Sequence, residues 1–157
     1  MSHSRTHRKM TLLTVVASLL IGRMAQADVV TDWNKTAGEI VVAAKLGTPA
    51  ANRALAIVQT AVYEATNTIT KRYVADGPPL EAVPDASVEA AIAAANHATL
   101  EQLAPSQQAS IDAAYQAALS KLTDSRAKAA GIAVGEAAAA AILARRADDG
   151  SATAEAY

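Results

Sequence analysis

Alanine is the feature that most limits what this chain can fold into. About a quarter of its 157 residues are Ala, while Phe is absent, Trp occurs once and aromatic residues total 3%, so the 52% hydrophobic content comes mostly from the smallest apolar side chain. Ala loses no rotamer freedom and is the best helix former, whereas strands favour β-branched and aromatic residues. The composition therefore predicts an all-α fold, and the length suits one domain. Helices faced with Ala and Gly can approach closely, but each contact buries little area. At about 25 cal/mol per Å² an Ala contributes much less than a Leu, so such a bundle needs many close neighbours.

Absent residue types narrow the chemistry. With no Cys there is no disulfide framework and no Cys-ligated zinc or iron–sulfur site, and the redox compartment stays open. Lys and Arg are scattered rather than clustered, which excludes sequence-independent nucleic-acid binding.

Residues 1–27 read as a secretory signal peptide: a basic start (Arg5, Arg8, Lys9), an apolar run from Met10 to Gly22, and a small-residue exit at Ala25-Gln26-Ala27. The run is too short for the roughly 20 residues of a membrane span; an uncleaved anchor or an interfacial helix is the alternative reading. Cleavage before Asp28 removes four basic and no acidic residues, which takes the formal charge from −1 to −5 and leaves His97 as the sole histidine. The mature protein is then exported, periplasmic or secreted, with no stable membrane span. Residues 28–150 form the helical domain and 151–157 a linker-like tail.

Five helices are expected. The first ends at Gly47 as a left-handed cap, and Thr48 followed by Pro49 opens the second, with Leu55, Val58, Val62 and Ile69 on its inner side. That helix fails near Lys71 or Arg72, and the Gly77-Pro78-Pro79 cluster with Pro84 makes Tyr73 to Asp85 an irregular loop. Asp85 or Ser87 caps a third helix with Val88, Ile92, Ala95, Thr99 and Leu103 in one arc, stopped by Pro105. Ser106 caps a fourth, whose Ile111, Ala114, Tyr115, Ala118, Leu119 and Leu122 make the cleanest amphipathic pattern in the chain. Thr123 or Asp124 starts a fifth that runs to about Ala147. Gly131 and Gly135, four apart and followed by Ala137 to Ala141, predict a groove that receives another helix. The same small-xxx-small face would dimerise in a membrane, but Glu136 interrupts it and the apolar run from Ala129 to Ala144 is short of a span.

Few residues could carry chemistry. His97 falls on the face of the third helix opposite the Val88/Ile92 stripe. A metal would need a second ligand three or four residues away, where Glu101 alone qualifies; the simpler reading is a surface or interface histidine. Glu64 and Asn67 are either a binding constellation or polar residues that fix the following loop. Asp148-Asp149-Gly150 has only fragments of a calcium loop and is explained by a helix stop with Arg145 and Arg146 at the negative end of the dipole. No Ser-His-Asp set, phosphate-binding glycine loop or H-E-x-x-H pattern is present in the mature chain, so no catalytic, cofactor-binding or metal-ligating residue is assigned.

Several stretches in order resemble the N-terminal helical region of bacterial vanadium-dependent haloperoxidase-like proteins, within the type 2 phosphatidic acid phosphatase superfamily. They are Asp32-Trp33-Asn34; Pro49-Ala50-Ala51-Asn52-Arg53-Ala54-Leu55-Ala56; Ala61-Val62-Tyr63-Glu64-Ala65 with Asn67; Ala94-Ala95-Asn96-His97; Ala130-Gly131-Ile132-Ala133-Val134-Gly135-Glu136-Ala137; and Arg146-Ala147-Asp148-Asp149-Gly150-Ser151. The resemblance covers nearly all of residues 28 to 151 and implies an all-helical fold. It also implies, for a full-length relative, a pocket that binds vanadate and oxidises halide with peroxide, or binds phosphate and forms a phosphohistidine. Such a pocket needs Lys and Arg near an Arg-Pro pair, a Ser-Gly-His segment, and an Arg followed by the ligating His. None of these occurs here, and in the family they lie C-terminal to the matching region.

The leading expectation is therefore a scaffold truncated before its catalytic half, inactive alone, with no cofactor in this chain. Its partners would be that missing half, or other copies of itself through the helix faces left exposed. Two rivals are a self-sufficient exported binding or chaperone-like protein with acidic faces and an Ala/Gly groove as its receptor, and a complete enzyme that uses His97.

Overall fold

The computed structural model describes residues 29–153 apart from 76, 78 and 82; the leader expected at 1–27 and the end of the tail, 154–157, lie outside this range. The described residues form five α-helices and no strand, as the composition demands. Helix α1 covers residues 29–43, α2 Thr48–Thr70, α3 Val88–Leu103, α4 Gln108–Leu119 and α5 Arg126–Arg145, with a 3₁₀ turn at Pro105–Gln107 before α4.

The helix ends follow the local sequence signals at some termini and depart from them at others. Helix α1 closes earlier than expected. Lys45, not Gly47, takes the left-handed conformation (φ 55°), and its amide donates to the Val42 carbonyl at 3.0 Å. Gly47 is extended and serves instead as the N-cap of α2, so Thr48 is already helical and Pro49 lies in the first turn. Helix α2 ends where anticipated: Lys71 is left-handed and its N–H reaches the Asn67 carbonyl at 2.7 Å. Ser87 caps α3, its hydroxyl accepting from the Ala90 amide at 3.1 Å. Pro105 stops α3, but Ser106 does not cap α4. The Gln107 amide closes a tight turn onto the Ala104 carbonyl, and α4 grows out of that turn with Gln107 at its N-cap and no side-chain cap. The cap of α5 is Ser125, whose hydroxyl accepts from the Lys128 amide, while Asp124 pairs with Lys128 at 2.7 Å.

Helix α3 lies at the centre. Its residues Val88 and Ala90 through Asn96 are all buried, because α2 and α5 cover one side and α4 another. The face with Ala90, Ala93 and His97 is thus packed rather than solvated. Among α2 to α5 the most extensive contact is between α3 and α5. A Cβ added at Gly131 would lie 2.2 Å from the Ser87 carbonyl oxygen, and one at Gly135 2.3 Å from that of Ala91. Carbon and oxygen normally approach no closer than about 3.3 Å, so these positions admit only glycine at this helix separation. The groove predicted from Gly131 and Gly135 is real, and α3 fills it.

Two apolar clusters divide the interior. One gathers Trp33, Ile57, Ala61, Ala65, Ile92, Val134, Ala138 and Ile142; the other joins Ala37, Ile40 and Val41 of α1 to Ala54, Val58, Leu100 and Ile111. The inner face of α2 is centred on Ala54, Ile57, Val58, Ala61 and Ala65, so Leu55 and Ile69 sit at its margins, only partly buried. Helix α4, for all its clean pattern, buries only Ile111 fully, since its neighbours cover one edge. Helix α5 has 20 residues and is long and apolar enough to cross a bilayer, contrary to the shorter run counted from its sequence. In this fold Gly131, Val134, Gly135, Ala138, Ala139 and Ile142 are buried and Glu136 is exposed.

Candidate functional site

The break at Ala104–Pro105 folds α4 back along α3. Residues equally distant from that break meet across the hairpin, which brings Asp112 of α4 to His97 of α3: Nε2 lies 2.8 Å from Asp112 Oδ1. One helical turn beyond His97, Glu101 places Oε2 3.6 Å from Nδ1, the same-face spacing of residues four apart. Gln108, at the start of α4, spans the two acids; its Nε2 donates to Glu101 Oε1 at 2.6 Å and to Asp112 Oδ1 at 3.1 Å. Tyr115, one turn after Asp112, stacks on the imidazole with centroids 4.2 Å apart and planes 25° from parallel.

The electrostatics follow from these contacts. The hydrogen bond from His97, then that from Gln108, holds the Asp112 carboxyl below its ordinary value against the opposing effect of desolvation. Burial pushes the Tyr115 phenol upward, and the carboxylates of Glu136 and Glu101 add to the shift. Glu136 on α5 therefore adds a negative charge near the Tyr115 phenol. A general base must offer a substrate a free imidazole lone pair. Here each ring nitrogen faces a carboxylate. The cluster also carries the wrong sign for vanadate or phosphate, which need fixed cationic donors.

Sequence reading located His97 and Glu101 and missed Asp112, Gln108 and Tyr115. Periodicity within one helix says nothing about the next; the usable signal was equal distance from the Ala104–Pro105 break.

Of the remaining candidates, Asn67 and Asp149 make structural contacts. Asn67 is buried and clamps the loop after α2: its Nδ2 donates to the Tyr73 carbonyl at 2.9 Å and its Oδ1 accepts from the Tyr73 amide at 2.8 Å. This is the loop-fixing role anticipated for it. Glu64 is buried 5% exposed, and its Oε1 has no hydrogen-bond partner among the described residues. Asp149 accepts from Arg53 Nε at 2.8 Å and from the Ser151 amide at 3.1 Å, while Arg53 Nη2 donates to the Arg146 carbonyl at 2.8 Å. These bonds, the Arg53 guanidinium first, hold the Asp149 carboxyl down to about 2. Asp148-Asp149-Gly150 thus ends α5 and ties it to α2, as expected of a helix stop.

Two surface cavities lie nearby. One of about 380 Å³ opens between α1, the start of α3 and α4, with Trp33, Glu89 and Lys121 among its walls. Another of about 500 Å³ has Glu101, Glu136, Arg53 and Arg146 among its walls. No family model, curated protein or solved structure matches the chain.

Proposed function

We propose that this chain is an exported helical scaffold without oxyanion chemistry of its own. In this reading it is equivalent to the N-terminal helical region of a vanadium-dependent haloperoxidase-like protein, and it works by packing against the part that carries the catalytic motifs. One observation supports this most: most of the stretches behind the resemblance hold the fold together. Trp33 is in the core, Arg53 reaches Asp149 and Arg146, Asn67 clamps Tyr73, and Gly131 and Gly135 receive Ser87 and Ala91. A second observation bears on the partner. The outer face of α5 leaves Ala129, Ala133, Ala137, Ala140 and Ala144 exposed, a strip another helix can approach closely. The rival binding-module reading keeps its acidic faces as a receptor, while α3 occupies its Ala/Gly groove.

The full chain, incubated with orthovanadate, peroxide and bromide, or with a chromogenic phosphate monoester, is expected to show no turnover above the protein-free control and to self-associate with rising concentration in sedimentation. Nucleotides following the Tyr157 codon that encode the Arg-Pro and Ser-Gly-His segments would support the reading directly. A monodisperse, cooperatively melting monomer, or halide oxidation lost in His97→Ala, would overturn it.

A further inference from the structure

We propose that His97, Glu101 and Asp112 form a binding site for a divalent first-row transition-metal ion such as Zn²⁺, built across the α3–α4 hairpin. Three donors converge there: one imidazole and two carboxylates, each able to offer a ligand atom within 4.8 Å of the others. Around a zinc ion at about 2.0–2.2 Å from each ligand, donor atoms lie roughly 3–3.5 Å apart. Asp112 faces Nε2 and Glu101 lies beside Nδ1, so an ion bound through Nε2 takes the place of the His97–Asp112 hydrogen bond and draws the Glu101 carboxylate across by side-chain rotation.

Charge favours a cation at this point. Glu101 and Asp112 flank the imidazole, and Glu136 lies near the Tyr115 phenol stacked on it. Arg53 and Arg146 line the cavity beside Glu101 and Glu136, but the Arg53 guanidinium is engaged by Asp149 and the Arg146 carbonyl, and Lys35 and Lys128 pair with Glu39 and Asp124. What bridges the two carboxylates is the neutral amide of Gln108. Once an ion is bound, Gln108 can keep donating to Glu101 Oε1 while Oε2 turns to the metal, a positioning role outside the ligand set. Tyr115 restrains the imidazole plane, so the ring is oriented beforehand. About half of the Asp112 side chain is exposed, which leaves an entry path and room for water in the remaining coordination positions. The donor set discriminates: Ca²⁺ and Mg²⁺ prefer oxygen-only shells and Cu⁺ prefers sulfur, whereas one nitrogen and two carboxylates suit Zn²⁺, Co²⁺, Ni²⁺ or Mn²⁺.

The test uses the full chain with His3→Ala and His7→Ala, so that His97 is the only histidine. Calorimetric titration with Zn²⁺ is expected to give one site per chain, and the His97 ring resonances are expected to shift on addition of the metal. Asp112→Asn and Glu101→Gln, isosteric changes on partly exposed side chains, are each expected to weaken binding by more than about tenfold, whereas Gln108→Ala weakens it less. Circular dichroism of each variant establishes that the helices are intact. Absence of saturable binding at millimolar Zn²⁺ overturns the assignment. So does an affinity that neither carboxylate substitution changes, or saturation that leaves the His97 resonances where they were.

Discussion

Adding a single methyl group at Gly131 or Gly135 should unseat α5 from α3. The new Cβ would lie 2.2 Å from the Ser87 carbonyl oxygen or 2.3 Å from that of Ala91, about 1 Å inside the normal carbon–oxygen approach. Neither acceptor can step aside cheaply. The Ser87 carbonyl accepts the Ala91 amide at 3.1 Å, and the Ser87 amide itself donates to the Ala127 carbonyl of α5 at 2.9 Å. Relief must come from lifting α5. A gap of that size forfeits a quarter to a half of the dispersion energy of the atoms facing it, and overpacking of this kind costs about 1–3 kcal/mol. The better helix propensity of Ala returns up to about 1 kcal/mol. A net loss of about 2 kcal/mol lowers Tm by roughly 6–10 °C in a domain of this size. Gly38 supplies the control, because it lies within α1 and a Cβ there meets nothing within 4 Å. Gly38→Ala should therefore raise Tm by about 2–4 °C. Thermal melts followed at 222 nm measure all three variants. If Gly131→Ala and Gly135→Ala prove neutral or stabilising, as Gly38→Ala should be, the close α3–α5 approach does not explain these glycines.

Three further outcomes are expected. The Asp149 carboxyl is held down to about 2, so its contribution is full above the unfolded value near about pH 4 and is lost as the pH falls through about 2. The gap between the urea midpoints of wild type and Arg53→Gln should accordingly narrow on acidification from pH 5 to pH 2, leaving the part due to the Arg53–Arg146 carbonyl bond; a gap independent of pH would contradict the assignment. Asn67→Ala should cost about 1–2 kcal/mol and speed hydrogen exchange at the Tyr73 amide, whereas unchanged exchange would mean the loop is held by something else. Ser87→Ala should cost about 1 kcal/mol through its lost cap, while Ser106→Ala, in a turn without side-chain capping, should leave the urea midpoint where it is.

The fold was legible in the sequence wherever one residue type dictates a local conformation. Pro105 ended α3, the described residues of the loop expected from Tyr73 to Asp85 form no helix or strand, and Gly131 and Gly135 announced a close helix partner. Errors arose where two neighbours could do the same job. Lys45 took the left-handed position in place of Gly47, and Ser125 capped α5 in place of Thr123 or Asp124. Burial was harder to read. In an Ala-rich helix nearly every face is apolar, so α3 could bury most of its circumference without a single strong stripe. The candidate site was half visible: His97 and Glu101 share one helix, but Asp112 comes from the next, in a register set by the Pro105–Gln107 turn.

The hydrogen bond from Ser87 to Ala127 joins the N-terminal ends of α3 and α5, and matching steps from Gly131 to Gly135 and from Ser87 to Ala91 show that the two helices run parallel. The tightest interface in the molecule thus joins segments some forty residues apart, with α4 between them. Closing a loop of that length carries an entropic cost of about 3 kcal/mol before any contact is made. The α3–α4 hairpin has only a short turn to close. Assembly should therefore begin at that hairpin and finish with the docking of α5, which makes the glycine contact a brake on unfolding rather than a spur to folding. On that basis Gly131→Ala should raise the unfolding rate and leave the refolding rate nearly unchanged.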